Sequence, residues 1–408
     1  MKYLPESWEN LFQKIKKIVR NYEEKNGVWS SINIAVWEPD MNPPATLREI
    51  TAKNVLKDEN WVHTYWDNGA PEDYIEEVVK HHTWISPNAN PHLKWLALPW
   101  EKAMLGLLPI ACWANLDWDF ANTWYVKNAP AYDVLWTWAE YLWEEAYIWP
   151  IYSQDDFKLK VANLPKKAKP PRMILTVKPW NPCPVWATRE DWEEVIDYCI
   201  KNNIRLVNDA AYSWLVHGNH VSLSEVAKDY KDLDWMELFS LSKTMNACWW
   251  RLGCAFWSAD FIDELTKIKW NADSWAFGPA LVSIPEYLKN ENSTWELSQI
   301  KKTYEKRLSI LVPMLEEVWF KKACPTDAGF FTLWMLPKTL NWVEIKSSEE
   351  FNNAMIEAIG LVWIPFTGSK LDSWENEQFI RYSVCAPFEN PEFTKRVSEA
   401  LSKISIDY

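Results

Sequence analysis

Four residues in the middle of the chain have the side-chain types that carbonyl chemistry requires. Asp209 and Tyr212 lie in the run NDAAY, and Lys243 and Arg251 lie in the run LSKTMNACWWR. A lysine amine that is removed from water loses part of its preference for the charged form, so it can attack a carbonyl carbon. A carboxylate, a phenol and a guanidinium at the same place would stabilise the charges that develop in such a reaction.

A strand–loop–helix–strand unit is predicted to position these residues. Met173–Val177 (MILTV) has the pattern of a buried strand, and a proline-rich loop follows it. Thr188 is predicted to begin a helix, with Asp191 as its capping-box partner, that runs to about Asn202. The next strand is IRLV at 204–207. This order implies parallel strands with a right-handed crossover, in which ligands bind beyond the carboxyl ends of the strands.

The polar residues that follow these strands are expected at that one edge of the sheet. A further apolar run, MELFSLS, is expected to end there as well. The residues placed at the edge are Asn181, Asp209, Tyr212, Ser240 and Lys243.

Pyridoxal phosphate (PLP) is a cofactor whose requirements this set would meet. It needs a lysine for covalent attachment, an anion that keeps its pyridine nitrogen protonated, and donors for its phosphate. Lys243, Asp209 and the pair Ser240 and Arg251 could supply these in turn. Singly, each residue has a structural explanation: Asp209 as a helix N-cap, Lys243 as a loop lysine, Arg251 as a surface cation. The combination is more informative than any single residue, because its spacing can be compared with known sequence motifs.

The run LFSLSKTMNACWWRLGCAFW resembles the lysine loop of the class I (fold type I) PLP-dependent aminotransferases, whose pattern is S-x-S-K-T-x-N-x-x-G-W-R-x-G. NDAAY resembles the family's D-x-A-Y, KPWNPCP its N-P-T-G loop and FIRYSV its C-terminal arginine strand. AVWEPDMNPP, HTYWDNGAPEDYIEEVV and KNAPAYDVL resemble its G-E-P-D, Y-x-x-x-x-G and N-P-x-Y segments. The matches follow the family's order from about residue 30 to 395. The lysine loop and the stretch KWNADSW near 269–275 look most similar to the subgroup of aspartate, alanine and LL-diaminopimelate aminotransferases.

The resemblance implies a role for each matched residue. Lys243 resembles the Schiff-base lysine that also moves the substrate's α-proton, Asp209 the carboxylate at the pyridinium nitrogen, and Arg381 the clamp on the substrate α-carboxylate. The other implied contacts with the cofactor are Tyr212 and Asn181 at its O3′, Tyr132 on its ring face, and Ser240, Arg251 and, from a neighbouring subunit, Tyr65 at its phosphate. The Tyr65 match implies a homodimer, and Trp37 stands at the glycine of G-E-P-D beside the substrate.

Two segments depart from the family pattern. In LPWEK, Trp100 and Glu101 stand where the family has Gly and then Ser or Thr, and a carboxylate repels a phosphate. Cys183-Pro184 replaces Thr-Gly after Asn181, so a shifted alignment with Pro184 as the family proline and Trp186 as its glycine remains open.

The tryptophan and glycine contents are both abnormal. The chain has 31 Trp and 9 Gly, whereas glycine is usually about 7% of residues, or roughly 29 here. Many Trp stand where turns and family motifs want glycine, such as Trp37, Trp100 and Trp249. We hypothesise that most of these Trp represent glycines encoded by UGA codons. The alternative is a genuinely Trp-rich chain that binds carbohydrate or partners.

Composition restricts the classes of protein. The 408 residues suit an α/β fold with a large domain (46–285), whose mostly parallel sheet is flanked by helices, and a smaller α/β domain (286–408). Residues 1–45 are expected to form an N-terminal arm and part of the small domain. The net charge of −13 argues against nucleic acid as a partner. No apolar run approaches about 18 residues in length, so no membrane-spanning helix is predicted. Seven Cys without C-x-x-C spacing are typical of a reduced, cytoplasmic protein.

The histidines at 81, 82, 217 and 220 lack a metal-ligand framework and are expected to be solvated loop residues, so no metal site is predicted.

The function that these observations favour is PLP-dependent transfer of an amino group from an L-amino acid to a 2-oxo acid by a ping-pong mechanism. The same residues could serve a PLP-dependent lyase or decarboxylase on this fold. A non-catalytic Trp-rich binding protein is the alternative from a different class.

Overall fold

The fold is built from a large mixed sheet, smaller sheets and helices on their faces. A computed structural model describes residues 11–35, 38–66, 69–83, 93–99, 101–113, 124–129, 145–167, 170–179, 181–273, 276–366 and 378–408. In these ranges the strands are β1 (Ile32–Asn33), β2 (Leu93–Leu98), β3 (Trp124–Ala129), β4 (Glu145–Pro150), β5 (Met173–Val177), β6 (Arg205–Asp209), β7 (Trp235–Ser240), β8 (Gly253–Ser258), β9 (Phe331–Met335), β10 (Thr339–Leu340), β11 (Val343–Glu344), β12 (Leu361–Val362), β13 (Ile364–Phe366), β14 (Phe379–Ser383) and β15 (Ile406–Asp407). The helices are α1 (Leu11–Asn26), α2 (Ala45–Val55), α3 (Asn60–His63), α4 (Glu72–Thr83), α5 (Glu101–Trp113), α6 (Arg189–Asn202), α7 (Leu223–Ala227), α8 (Leu241–Thr244), α9 (Ala259–Ala272), α10 (Gly278–Leu288), α11 (Ser293–Glu317), α12 (Ser348–Ile359) and α13 (Pro391–Leu401).

The large sheet has the strand order β2-β8-β7-β6-β5-β3-β4 within the described part of the chain. Strand β8 runs antiparallel to both of its neighbours, and the other neighbouring strands are parallel. Every residue of β5 and β7 is buried, which is expected for parallel strands whose two faces are both covered by helices. The prediction of an α/β fold with a mostly parallel sheet is confirmed.

The predicted strand–loop–helix–strand unit is present. Helix α6 begins after Thr188, whose hydroxyl accepts from the Asp191 N–H at 3.3 Å while the Asp191 carboxylate accepts from the Thr188 N–H at 2.9 Å. The helix ends at Asn202, as predicted, and Asn203 takes the left-handed conformation (φ 52°). Strands β5 and β6 then pair in parallel, with Met173 opposite Arg205.

The N-terminal segment packs against the C-terminal part of the chain. Strand β1 pairs in parallel with β12, Ile32 lying opposite Leu361. Ile15 on α1 joins a small apolar cluster with residues of α12 and β12. Strands β13, β14 and β9 form an antiparallel sheet nearby in that order. Among the described residues no helix is long and apolar enough to span a bilayer.

Tryptophans occupy two different environments in the fold. Trp192 and Trp235 are buried core residues. Trp29, Trp319 and Trp342 instead have φ values of 65°, 72° and 68°, and each is at least 80% exposed. Bulky residues rarely adopt this left-handed conformation, which glycine adopts at no steric cost. These three positions therefore support the hypothesis that some tryptophans represent glycines.

The expectation that the histidines are solvated loop residues is wrong. His81 and His82 lie in the last turn of α4, where His81 stacks on Trp214 at 3.8 Å and His82 on Phe239 at 4.7 Å between ring centroids. Burial lowers the pKa of His81 to about 4 and that of His82 to about 3. The remaining two are half-buried and hydrogen-bonded: His217 contacts Glu305 and the Gly329 carbonyl, and His220 accepts from the Ala187 N–H. In the described ranges, no His, Cys, Asp and Glu side chains group to hold a metal ion.

Candidate active site

The carboxyl ends of β5, β6 and β7 bring the predicted site residues to one edge of the large sheet. Register pairs Val177 with Asp209 and Asp209 with Leu238, so these three strands end at nearly the same level. Asn181 follows β5, Asp209 is the last residue of β6, and Ser240 is the last residue of β7. The sheet topology therefore places these polar groups together, as the sequence predicts.

Asp209 is a buried carboxyl at this edge. It is 7% exposed and accepts a hydrogen bond from the Ala211 N–H at 3.1 Å. Burial raises the pKa of Asp209 to about 6, because a desolvated carboxylate loses the hydration that stabilises its charge. Among the described residues none forms an ion pair with it, so a bound cation would find an unneutralised carboxylate here.

Tyr212 lies beside Asp209 against an aromatic wall. The rings of Phe330 and Phe331 are both 5.6 Å from its ring, in edge-on geometry. Burial raises the pKa of the Tyr212 hydroxyl, and the charge of Arg381 partly opposes that rise. The hydroxyl thus stays protonated at neutral pH and can donate a hydrogen bond.

Arg381 reaches the same place from a different sheet. It lies on β14, is 2% exposed, and donates from Nη1 to Asn181 Oδ1 at 2.5 Å and from Nη2 to the Ala35 carbonyl at 3.3 Å. Its guanidinium also lies 4.1 Å from the centroid of the Phe331 ring. Burial lowers the pKa of Arg381 to about 10, which still leaves it charged at neutral pH. A buried fork of this kind is suited to binding a carboxylate.

Lys243 lies on the short helix that follows β7. Ser240 caps this helix, its hydroxyl accepting from the Ser242 N–H at 3.3 Å. Lys243 is half-buried, and its Nζ lies 3.8 Å from Cys248 Sγ and 6.0 Å from the centroid of the Phe330 ring. Arg251 follows in the left-handed conformation (φ 56°), and its guanidinium donates to the Cys248 carbonyl. The lysine and the two predicted phosphate ligands thus belong to one loop, residues 240–251.

Contacts from elsewhere in the chain fix this loop. Asn246 accepts from the Tyr304 hydroxyl of α11 at 3.0 Å, and its side-chain amide donates to the Asn42 carbonyl at 3.5 Å. Trp249 Nε1 donates to Glu38 Oε1 at 2.7 Å. The segment around residues 38–42, which follows the predicted substrate residue Trp37, is therefore attached to the lysine loop at two points.

Tyr65 lies at the surface of the chain. Its side chain is 75% exposed and borders a cleft of about 430 Å³ that is lined by residues 63–66 and 276–279. Phe277 in this cleft is 56% exposed. The Tyr65 side chain is therefore accessible to a second molecule.

Some predicted residues lie outside the described part of the chain. These are Tyr132, Trp37 and Trp100, and the side chain of Glu101, whose backbone begins α5.

Sequence reasoning missed several residues at the site. Cys248 carries no signal beyond its position five residues after Lys243. Asn246 is part of the S-K-T-x-N pattern, but its contact with Tyr304 joins positions 58 residues apart. These contacts depend on how α11 packs, and local sequence patterns do not report that packing.

The chemistry of these side chains fits PLP. The buried carboxyl of Asp209 would neutralise a ring cation, the Tyr212 hydroxyl and Asn181 amide could meet a phenolate oxygen, and Ser240 with Arg251 could bind a phosphate.

Comparisons with known proteins agree with this chemistry. A model of the family "Aminotransferase class I and II" matches residues 129–397. The chain is 28% identical to the LL-diaminopimelate aminotransferase of Methanocaldococcus jannaschii over 365 residues, covering 87% of this chain and 82% of that protein. It is 27% identical to the LL-diaminopimelate aminotransferase of Nitratidesulfovibrio vulgaris, covering 92% and 90%.

Solved structures show the same fold. A probable N-succinyldiaminopimelate aminotransferase from Thermus thermophilus superimposes with a TM-score of 0.78 at 20% identity, covering 96% of this chain and all of that one. An aspartate aminotransferase from Thermotoga maritima gives a TM-score of 0.77 at 18% identity, covering 98% of both chains.

Proposed function

The chain belongs to the class I and II aminotransferase family, and from this premise we propose that LL-diaminopimelate is its amino-acid substrate. It is a PLP-dependent aminotransferase, and the lyase, decarboxylase and binding-protein alternatives are not favoured. The observation that carries the substrate proposal is the similarity, along most of both chains, to two proteins named LL-diaminopimelate aminotransferase. A 2-oxo acid would be the partner substrate.

Arg381 would bind the α-carboxylate of either substrate. Its buried guanidinium can make two parallel hydrogen bonds to a carboxylate, and Asn181 holds it in place through the 2.5 Å contact. Because Arg381 stays charged at neutral pH, it would orient both substrates in the same way.

Lys243 would move the proton that leaves the substrate's α-carbon. When bound, PLP supplies an electron-withdrawing ring that stabilises negative charge on that carbon. The Asp209 carboxylate would hold the positive charge of the ring nitrogen, and the Tyr212 hydroxyl, with the Asn181 amide, would donate to the ring's O3′. Ser240 and Arg251 would bind the phosphate. Tyr132 is proposed to cover the ring face, and Trp37, or a glycine in its place, to border the substrate.

The active unit is proposed to be a homodimer in a cytoplasmic compartment. Tyr65 is exposed on its own subunit beside the exposed Phe277, so a second copy could cover both and receive the tyrosine at its phosphate site. Light scattering of the PLP-loaded protein should then give twice the chain mass of 48.2 kDa. Mixing Tyr65→Phe with Lys243→Ala chains should produce a hybrid with one site that lacks both residues and one intact site. A monomer of full activity would contradict this proposal.

The substrate proposal is tested by a half-reaction. The PLP-loaded protein is given LL-diaminopimelate, glutamate, aspartate or alanine separately, and the absorbance of the bound cofactor is recorded. Conversion to the pyridoxamine form by LL-diaminopimelate at low concentration is expected. Conversion by aspartate or alanine, with no response to LL-diaminopimelate, would overturn the substrate while leaving the transamination intact.

A further inference from the structure

Cys248 contacts both cationic groups of the lysine loop. Its Sγ lies 3.8 Å from Lys243 Nζ and 3.2 Å from the Ser242 carbonyl oxygen, and its own carbonyl accepts from the Arg251 guanidinium. The residue begins a single turn of 3₁₀ helix, Cys248–Trp250, between the two cations. One residue therefore connects the side chain proposed to move the proton with the side chain proposed to bind the phosphate.

The Cys248 side chain is a protonated thiol, which is the form that these contacts need. Burial raises the pKa of Cys248, and the charge of Lys243 opposes the rise. A protonated thiol donates through S–H and accepts through its sulfur lone pairs. The S–H can thus donate to the Ser242 carbonyl while the sulfur accepts from Lys243 Nζ.

We propose that Cys248 is a positioning residue for Lys243. The Cys248 sulfur accepts from the Lys243 amine and donates to the Ser242 carbonyl, and this bridge holds the amine at the sheet edge. The inference rests on the proposed role of Lys243 and extends it to a residue in contact with the amine. The bridge restricts a long, flexible side chain, so that fewer orientations of the amine compete with the one facing the α-carbon.

The test compares variants that remove the bridge with one that keeps it. Cys248→Ala and Cys248→Val remove both contacts at two side-chain volumes, and Cys248→Ser keeps a donor and an acceptor. Cys199→Ala, on α6, is the matched control for loss of a buried thiol. Lys243→Ala is included to test the proposed function itself. The readouts are kcat, KM for both substrates, and the pH midpoint of the absorbance of the PLP-loaded protein before any substrate is added.

The Ala and Val variants should lower kcat about five-fold, the effect of one ordinary hydrogen bond, with each KM changed less than about two-fold. The pH midpoint of the absorbance of the PLP-loaded protein should fall by about half a unit, because the protonated form loses a hydrogen-bond acceptor. Cys248→Ser should recover both values, and Cys199→Ala should change neither.

The outcomes separate this inference from the proposed function. Wild-type kcat and pH midpoint in the Ala and Val variants would overturn the positioning role, as would a Ser variant as impaired as Ala. If one of the two apolar variants fails to fold, the other gives the comparison. Full turnover by Lys243→Ala would instead overturn the role proposed for Lys243, whatever the Cys248 variants do.

Discussion

At the scale of single residues, the site combines groups whose pKa values burial has shifted in different ways. The pKa of Asp209 is raised to about 6, and that of Arg381 is lowered to about 10. Each shift reflects the cost of a charge removed from water, and a bound partner of opposite charge reverses it. The two residues are therefore prepared for a cation and an anion respectively.

Asp209→Asn should weaken the binding of PLP roughly 100-fold, because removing one partner of a buried charge pair costs about 3 kcal/mol. The dissociation constant is measured by absorbance titration of the apoprotein. Asp234→Asn is the matched control: Asp234 pairs with Arg205 at 2.7 Å at the opposite end of the neighbouring strand β7. Equal PLP affinity in the two variants would contradict the role of Asp209.

At the scale of elements, helix α11 joins the N-terminal segment to the C-terminal part of the chain. Arg307 on this helix is 2% exposed and bonds Asp40 at 2.6 Å, Glu389 at 2.7 and 2.8 Å, and the Val384 carbonyl at 3.1 Å. Hydrogen bonding to Arg307 lowers the pKa of Glu389. The N–H groups that make these bonds belong to one planar guanidinium, which fixes their directions. The Arg307 side chain therefore holds the segment near residue 40 and the turn before α13 together.

Arg307→Lys should lower the free energy of unfolding by about 2–3 kcal/mol, because a single ammonium cannot satisfy two carboxylates and a carbonyl at once. Urea unfolding measures the change. Lys395→Ala removes an exposed ion pair with Glu399 on α13 and should change the free energy of unfolding by less than about 0.5 kcal/mol. A similar small change in both variants would show that the buried contacts contribute little.

The left-handed tryptophans give a second prediction for elements. Trp29→Gly, Trp319→Gly and Trp342→Gly should each raise the free energy of unfolding by about 0.5–1 kcal/mol, because relief of left-handed strain exceeds the added entropy of the unfolded chain. Trp192→Gly is the control: this residue is buried in α6 and donates to the Val221 carbonyl at 2.8 Å, so its loss should cost about 4–5 kcal/mol.

The gene tests the hypothesis behind this prediction. UGA codons at the three left-handed positions and at Trp37, Trp100 and Trp249, together with glycine in peptides of the native protein, are expected. UGG codons there would contradict the glycine hypothesis and leave a Trp-rich chain.

At the scale of the whole molecule, buried neutral histidines make stability depend on pH. The pKa of His82 is lowered to about 3 by burial, whereas an unfolded chain has a histidine pKa near 6.5. Between these values the unfolded state binds a proton that the folded state does not, so stability falls as the pH falls below about 6.5.

His82→Phe should remove this contribution while keeping a ring against Phe239. The unfolding free energy of the wild type, minus that of the variant, should fall by up to about 1.4 kcal/mol per pH unit between pH 6 and pH 4. The difference between the two proteins cancels the contributions of carboxyl groups to the pH dependence. Asp209, for example, has a raised pKa that acts in the opposite direction. Parallel stability curves for the two proteins would contradict the prediction.

Local sequence patterns were enough to predict those elements, and that chemistry, which residues close together in the chain encode. The capping box of Thr188 and Asp191, the buried strand Met173–Val177 and the lysine loop all depend on neighbours a few positions apart, and the structure has each of them as predicted. Parallel strand order then places Asn181, Asp209 and Ser240 at one edge without further information.

The contacts between distant elements could not be predicted in this way and became visible in the folded chain. Arg381 meets Asn181 across 200 positions, Arg307 meets Asp40 across 267, and the histidines that looked solvated stack on Trp214 and Phe239. These contacts depend on how the smaller antiparallel sheet and α11 pack against the large sheet. That packing is set by the shapes of many side chains together, so no local pattern reports it.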